Sequence, residues 1–516
     1  MAPRDQYPQL EDRKVLEIEE LAGALERLKA EGHTIVHCHG VFDLMHPGHI
    51  LHLEAARREG DVLVVSITAD HFVNKGPGRP VFNAQLRAET LAALESVRFV
   101  TINEAPDATQ LIARIKPDVY VKGSDYLDQD TDVTGKITEE TKAVEKAGGR
   151  VHFTNEMTMS SSELLNRHFD VFTPETRSWL SQIKADFSGG EIEAALDKVR
   201  SCKVLVVGEA IIDEYFFCEG LGKSAKDPIL AFKYCSQETY IGGSLGVANH
   251  LSGICDTVGI VSLVGDSDNR TQFIRERLHP NVNFYPFGRT GAPTIHKRRY
   301  LDNHTGGKVF ELYTLEDTPL DAKSEDKLIK VLDRAVDDYD LVVVTDYGHG
   351  MMTPRIIDFV SERAKFLAVN TQANAGNRGF NTISKYAKAD YACLNGGEVQ
   401  LDMRTRQNNF QDMVCELAER MECSKFTVTL GQAGSLHYDP ESGFVEAPAL
   451  AIRIADRVGA GDAVLSITSP LVATGARWEL VAFLANLAGA QAVAELGTSR
   501  AIDRASLIKH AESILK

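Results

Sequence analysis

Two histidines three positions apart, His46 and His49, close the string His39-Gly40-Val41-Phe42-Asp43-Leu44-Met45-His46-Pro47-Gly48-His49. The string follows a short apolar run, Thr34–His39, and opens a helical pattern over Gly48–Glu59. Pro47 suits the start of a helix, where a missing N–H costs little. A helix start behind a parallel strand offers free N–H groups and roughly half a positive charge to an anion. Imidazoles at this spacing share one face of the first turn. They would hydrogen-bond the phosphates of a nucleoside triphosphate and stabilise the charge that builds as pyrophosphate leaves. Glycine at 40 and 48 would let backbone and ligand approach closely. A second chemical signal lies far along the chain, in Asp456-Arg457-Val458-Gly459-Ala460-Gly461-Asp462. A glycine-rich turn running into a helix presents backbone amides to a transferring phosphoryl group. Asp462 beside such an anion hole is a candidate base for a sugar hydroxyl, a role worth ~10²–10⁴-fold in rate.

The elements that must position the first motif alternate strand and helix. Thr34–His39, Asp61–Thr68, Val97–Ile102, Val119–Val121 and Arg150–Phe153 read as strands. Asn83–Ser96 reads as a helix with Asn83 as its N-cap. This alternation predicts a parallel sheet with helices on both faces, over residues 1–168. Residues 169–200 read as a helical connector, Thr173–Phe187 and then Glu191–Arg200 behind Ser188-Gly189-Gly190. A second α/β series fills residues 201–516, with strands expected at Lys203–Val207, Val258–Val264, Leu341–Thr345, Phe366–Val369 and Thr427–Leu430.

The 516 residues exceed what one core organises, about 250–300, so at least two domains are expected. Hydrophobic residues make up 43% and charged residues 25%, as in soluble globular chains. A net charge of −17 argues against nucleic acid or an anionic membrane as a partner, since both select basic patches. Eight cysteines form no CxxC pair and no disulfide-like spacing, so they read as reduced, buried thiols in a cytoplasmic protein. The first residues are polar and acidic, so no signal peptide is expected. No apolar run reaches the ~18–20 residues of a membrane span.

The first motif resembles the HxGH motif of the cytidylyltransferase-like superfamily. Lys75, Gly76, Arg79-Pro80-Val81 and Arg87 resemble the family segment that follows the second strand. Val121-Lys122-Gly123-Ser124-Asp125-Tyr126 is similar to the VKGGDY segment of bacterial heptose 1-phosphate adenylyltransferases. Met159-Ser160-Ser161-Ser162 stands where the family has Ser-Thr-Thr at a helix start. The likeness spans Thr34 to Arg167 and implies a Rossmann-like, doubly wound nucleotidyltransferase. It gives His46, His49 and Lys75 catalytic roles. It assigns nucleotide binding to Gly40, Phe42, Asp43, Gly48, Arg79, Lys122, Gly123, Ser160, Ser161 and Ser162. Hydroxyls and amides at a helix start suit phosphates, and Lys and Arg are their usual cations. The likeness favours ATP over CTP and a sugar 1-phosphate acceptor, with heptose 1-phosphate the best match. A CTP-dependent enzyme acting on a polyol or other sugar phosphate is the alternative. The chain departs from the pattern at Asp128–Thr138, where it looks longer.

The second half resembles ribokinase-like (PfkB-type) sugar kinases from Lys203 to His510. Val207-Gly208-Glu209 through Asp213 looks like their opening strand, whose Asp binds sugar hydroxyls. Gly242-Gly243 resembles their double glycine near the sugar. Asn395-Gly396-Gly397-Glu398 matches their NxxE motif, whose Glu organises the Mg²⁺–phosphate region. Asn486 lies in a segment similar to their late nucleotide-side helix. The resemblance implies a ribokinase-like α/β sandwich. Asp213, Gly242 and Gly243 would bind sugar. Asn395, Glu398, Gly459, Ala460, Gly461 and Asn486 would bind nucleotide, with Glu398 near the metal. Three positions depart: the family's Asn falls on Gly246, its DYxKG lysine on His349, and its Asp-Pro-Lys on Asn370-Thr371-Gln372. Together the halves resemble the bacterial bifunctional heptose 7-phosphate kinase/heptose 1-phosphate adenylyltransferase, with the domain order reversed. That implies Mg²⁺-dependent nucleotide-sugar synthesis and a homo-oligomer. The lost lysines keep a rival open: a nucleotidyltransferase whose kinase-like half serves binding or oligomerisation.

Overall fold

The computed structural model describes residues 13–73, 79–123, 136–154, 172–377 and 379–515. The chain divides into two compact units between Val171 and Phe172.

The first unit holds five strands: β1 (Ile35–Gly40), β2 (Val62–Thr68), β3 (Phe99–Asn103), β4 (Val119–Gly123) and β5 (Arg150–Thr154). All pair in parallel, in the order β3-β2-β1-β4-β5. Helices α1 (Ile18–Ala30), α2 (Pro47–Arg57), α3 (Ala84–Ala92), α4 (Thr109–Ile115) and α5 (Lys136–Lys146) join or flank them. Side chains alternate across the strands, so each face takes its own helices. Ile35, Val62, Val64 and Phe99 cluster with Leu21 and Leu25 of α1 and with Leu111 and Ile115 of α4. Val36, Cys38, Leu63 and Val65 cluster with Leu53 and Ala56 of α2 and with Ala88 and Leu91 of α3. Asn83 caps α3, its side chain accepting the Leu86 amide over 2.9 Å. The strand order reverses direction between β1 and β4. Ligands of open α/β sheets settle at such a point, beyond the carboxyl ends of the strands.

The second unit begins with the expected connector helices, Pro174–Asp186 and Gly189–Arg200, which pack against helices Trp478–Val493 and Ala460–Ala473. Its strands are β6 (Lys203–Lys223), β7 (Leu230–Gly243), β8 (Thr257–Gly265), β9 (Val282–Arg289), β10 (Ile295–Asp302), β11 (Lys308–Thr314), β12 (Leu341–Asp346), β13 (Leu367–Thr371), β14 (Tyr391–Asn395), β15 (Lys425–Thr429), β16 (Ser435–Asp439) and β17 (Gly443–Ala447). A main sheet runs β9-β8-β6-β12-β13-β14-β15 in parallel and ends on antiparallel β16 and β17. An outer sheet runs β7-β6-β10-β11.

β6 belongs to both sheets. The sequence suggests a strand ending at Val207; the observed one continues to Lys223. Lys203–Glu209 pairs with β8, and Ala210 onward pairs with β7. The first stretch is apolar because it is covered on both faces. The later stretch grows exposed and loses that pattern, which hid its length. Strands β7, β9 and β11 were hidden for the same reason, being half or more exposed. Six cysteines are buried as expected, but Cys235 is exposed on β7 and Cys415 is half-buried. Among the described residues, no helix is long and apolar enough to cross a membrane.

Candidate active sites

The first site lies where β1 and β4 end side by side. The β1 backbone turns at Phe42, which takes a left-handed φ of 47° and buries its ring in the core beside α2. A Cβ on Gly40 would stand 3.0 Å from that ring, a tight contact that would press on Phe42. His46 caps α2 in an extended conformation, and Pro47 takes the first helical position. The His46 and His49 rings stack with centroids 3.9 Å apart, and Phe42 meets His49 edge-on at 5.4 Å. The two imidazoles therefore form one unit at the amide-rich start of α2.

Asp43 is turned inward. Its carboxylate accepts from Arg79 Nε at 2.5 Å and from the Val81 and Phe82 amides at 2.6 and 3.2 Å. It thus clamps the segment after β2 against the motif. Another Arg79 nitrogen, Nη2, is buried with no hydrogen-bond partner among the described residues. Arg87 is wholly occupied: it donates to the carbonyls of Phe82, Thr68 and Val41 and to Asp70. Lys122 stands at the end of β4 but pairs with Glu140 of α5 at 2.9 Å. Glu140 also accepts from Tyr120 and from the Ala108 amide. Behind the motif, His37 and His39 share the hydroxyl of Ser66. Burial pushes His37 down to about 3, which keeps it neutral. Gly48 lies in the first turn of α2, and a Cβ on Gly123 would meet nothing within 4 Å among the described residues. Lys75, Gly76, Ser160, Ser161 and Ser162 lie outside the described residues, as do Ser124, Asp125 and Tyr126.

The second site gathers around the point where β6 changes sheets. Asp213 is buried there and binds Arg299 of β10. A Cβ on Gly242 would come 1.9 Å from Asp213 Oδ2, so the first glycine of the pair makes room for that carboxylate. Gly243 turns at φ 59° to start the helix Ser244–Ser252. Gly459 takes φ 81° and caps the helix Ala460–Ala473, which carries Gly461 and Asp462 in its first turn. Asp456 anchors this glycine turn: its carboxylate accepts from Lys308 at 2.6 Å, Tyr215 at 2.7 Å and the Val458 amide at 3.1 Å.

Asp462 is buried and accepts from the Tyr347 hydroxyl at 3.0 Å. Burial lifts its pKa to about 7. Asp213 adds to the rise, while the Tyr347 hydrogen bond and Lys297 oppose it. Such a value suits a general base at neutral pH. Asn395 and Glu398 form a capping box: Asn395 Oδ1 accepts the Glu398 amide, and Glu398 accepts the Asn395 amide at 2.8 Å. Its other oxygen accepts the Ala373 amide at 3.1 Å. Burial raises Glu398 to about 7. Asn486 donates to Ser435 and to the Ala482 carbonyl.

Several participants were not singled out from sequence. Lys297 on β10 is 5% exposed, and its ammonium lies 5.7 Å from the Tyr347 ring centre without an ion pair among the described residues. It feels Asp213, Asp462 and Glu209. Glu209 accepts the amides of Tyr347, His349 and Met351 and so holds that loop. The polar run His296–Arg299 carries no apolar alternation that would have marked Lys297 and Arg299; their burial comes from the place of β10 between β6 and β11. His349, where the resemblance expects lysine, is buried with neither ring nitrogen hydrogen-bonded among the described residues. Burial and the nearby Lys297 push it down to about 3, so it adds no charge. At the other departures, Gly246 faces Thr498 and Asn370 binds the Cys393 carbonyl.

Both sites lie at the ends of parallel strands in α/β units, the place where such sheets take their ligands. The chain belongs to the pfkB family of carbohydrate kinases, matched over residues 201–505. Residues 37–176 match the cytidylyltransferase-like family. The chain is 26% identical over 313 residues to the bifunctional protein HldE of Citrifermentans bemidjiense, covering 60% of this chain and 63% of that protein. Over 137 residues it is 45% identical to the HldE of Aliarcobacter butzleri, or 26% of this chain and 28% of that one. The chain thus spans less than two thirds of the length of these relatives. Among solved structures, it resembles Escherichia coli phosphofructokinase-2 in complex with potassium at 14% identity and a TM-score of 0.49, covering 60% of this chain and 99% of that one. Arabidopsis thaliana ribokinase complexed with ribose and ATP follows at 16% identity, 60% and 99% coverage and a TM-score of 0.48.

Proposed function

We propose that this chain is a bifunctional enzyme of nucleotide-sugar synthesis. The first unit transfers a nucleotidyl group to a sugar 1-phosphate, with ATP as donor and heptose 1-phosphate as the favoured acceptor. The second unit phosphorylates a sugar hydroxyl from ATP, with heptose 7-phosphate as the favoured substrate. The carrying observation is that one chain holds both a stacked His46–His49 pair at a helix start and a buried Asp462 behind a left-handed glycine turn.

In the first reaction an oxygen of the acceptor phosphate attacks the α-phosphorus, and the bond to the pyrophosphate oxygen breaks. His46, His49 and Arg79 offset the charge that collects on the leaving group, as positioning and electrostatics do in related transfers. Lys75 and the serines Ser160, Ser161 and Ser162 join them on the strength of the resemblance. In the second reaction Asp462 takes the sugar hydroxyl proton as its oxygen attacks the γ-phosphorus and ADP departs. Amides of the Gly459-Ala460-Gly461 turn face the transferring group. Lys297 supplies the cation that His349 does not, which favours an active kinase over a purely structural module.

Mg²⁺ bound with each triphosphate would neutralise part of its phosphate charge. Glu398 fits a role through water, because both of its oxygens already accept backbone amides. Mg²⁺ commonly keeps several waters and leans on phosphates plus one or two carboxylates. The free thiols suit a cytoplasmic protein, and the resemblance to both families suits a homo-oligomer.

The test is a panel of sugar phosphates with ATP or CTP and Mg²⁺, read by pyrophosphate release, ADP formation and product mass. His46→Ala and His49→Ala should each lower pyrophosphate release by ~10²–10³-fold and spare ADP formation. Pyrophosphate release without ADP from any sugar phosphate would favour the single-activity rival. Product formation from CTP and a polyol phosphate would favour the other alternative.

A further inference from the structure

We propose that Tyr347 is a positioning residue for Asp462: its hydroxyl holds one carboxylate oxygen so that the other is presented to the sugar hydroxyl. The proposal rests on the kinase reading above. Among the described residues, Tyr347 is the one side chain that hydrogen-bonds the Asp462 carboxylate, over 3.0 Å and out of contact with solvent. A carboxylate on a short side chain can rotate; a donor on one oxygen restricts that rotation and fixes which lone pairs meet the substrate.

The tyrosine is itself held from several sides. Glu209 accepts its amide at 3.2 Å, and the side chains of Asn374 and Asn377 donate to its carbonyl at 2.9 and 2.7 Å. One residue earlier, Asp346 accepts from the Tyr386 hydroxyl and from Lys385. One residue later, Gly348 turns at φ 71°, where a Cβ would stand 2.3 Å from the Asn377 side chain. This bracing fixes a ring whose one polar atom reaches the candidate base. The titratable groups that face Asp462 are Asp213 from β6, Lys297 from β10, Glu398 at the start of the helix Gly396–Asp402, and the neutral thiol of Cys393 on β14. Lys297 also lies over the Tyr347 ring, its ammonium 5.7 Å from the ring centre. In the reaction the hydroxyl proton of the sugar passes to the free oxygen of Asp462, the sugar oxygen bonds to the γ-phosphorus, and the bond to ADP breaks. Tyr347 keeps its own proton throughout.

Tyr347→Phe keeps the ring and its contact with Lys297 but removes the hydrogen bond. It should lower kcat for ADP formation about tenfold to a hundredfold, with the sugar KM within about twofold. The acidic limb of the pH–rate profile should move up by about one pH unit, because the carboxylate loses a donor that favours its charged form. Infrared titration of the resting protein, with Asp462→Asn identifying the carboxyl band, should show the same upward shift. Incorporation of 3-fluorotyrosine, whose phenol donates more strongly, should move the limb downward and serves if Tyr347→Phe does not fold. An unchanged kcat, or an unmoved limb and carboxyl titration, overturns the role of Tyr347. No ADP from wild-type protein with any sugar phosphate overturns the kinase reading, and this role with it.

Discussion

Gly242→Ala gives the most direct check on the sugar site. A Cβ there would lie 1.9 Å from Oδ2 of Asp213. Carbon and oxygen need about 3.3 Å even in close contact, so the carboxylate must retreat by more than an ångström. Its retreat is blocked by Arg299, which holds Oδ1 and is itself fixed by Glu311 at 3.1 Å. The variant must therefore turn Asp213 away from the sugar or break its pairing with Arg299. Loss of one hydrogen bond to a charged group costs about 1.5–3 kcal/mol. At about 1.4 kcal/mol per tenfold, kcat/KM for the sugar phosphate should fall ~10–100-fold, chiefly through KM. The assay is ADP formation against sugar phosphate concentration at saturating ATP. Pyrophosphate release from the same preparation serves as an internal control, because the first unit is untouched. A kcat/KM within twofold of wild type, in a protein that melts normally, would refute the reasoning.

Asp462→Asn should cut ADP formation by ~10²–10⁴-fold and leave pyrophosphate release intact. Because burial lifts Asp462 to about 7, kinase kcat should fall about tenfold per unit as pH drops below 7. The same shift affects stability: the folded pKa lies above the unfolded one, so stability is full below the ordinary carboxylate range and is lost as pH rises towards 7. Asp462→Asn removes that loss, so its gain in melting temperature over wild type should be larger at pH 8 than at pH 4. Arg87→Met should strand three backbone carbonyls and Asp70, costing about 3 kcal/mol and lowering pyrophosphate release, as read by thermal unfolding and the release assay.

The parallel strands were legible because burial on both faces leaves near-continuous apolar runs, as in Val62–Thr68 and Leu341–Asp346. The outer sheet was not, because β7 and β11 are exposed along much of their length and their residues follow solvent rather than a core. Asp462 was legible through its glycine turn, since the left-handed φ of 81° at 459 is one that glycine adopts at least cost. Arg87 sits in a segment that resembles a phosphate-binding one, yet every nitrogen of its guanidinium serves the backbone or Asp70.

What the sequence determined by itself is the chemistry on offer: two imidazoles at a helix start, a carboxylate behind a glycine turn, and two α/β units to carry them. Local spacing encodes all of these, because helix turns and strand ends depend on neighbours in the chain. What only the tertiary structure decided is the company each group keeps. Tyr347 meets Asp462 from 115 residues away, and Arg299 meets Asp213 across 86. Lys122 is turned to Glu140, and Lys297 stands in the site where His349 brings no charge. Such pairings arise from strand order and register, which bring together residues that no local pattern connects.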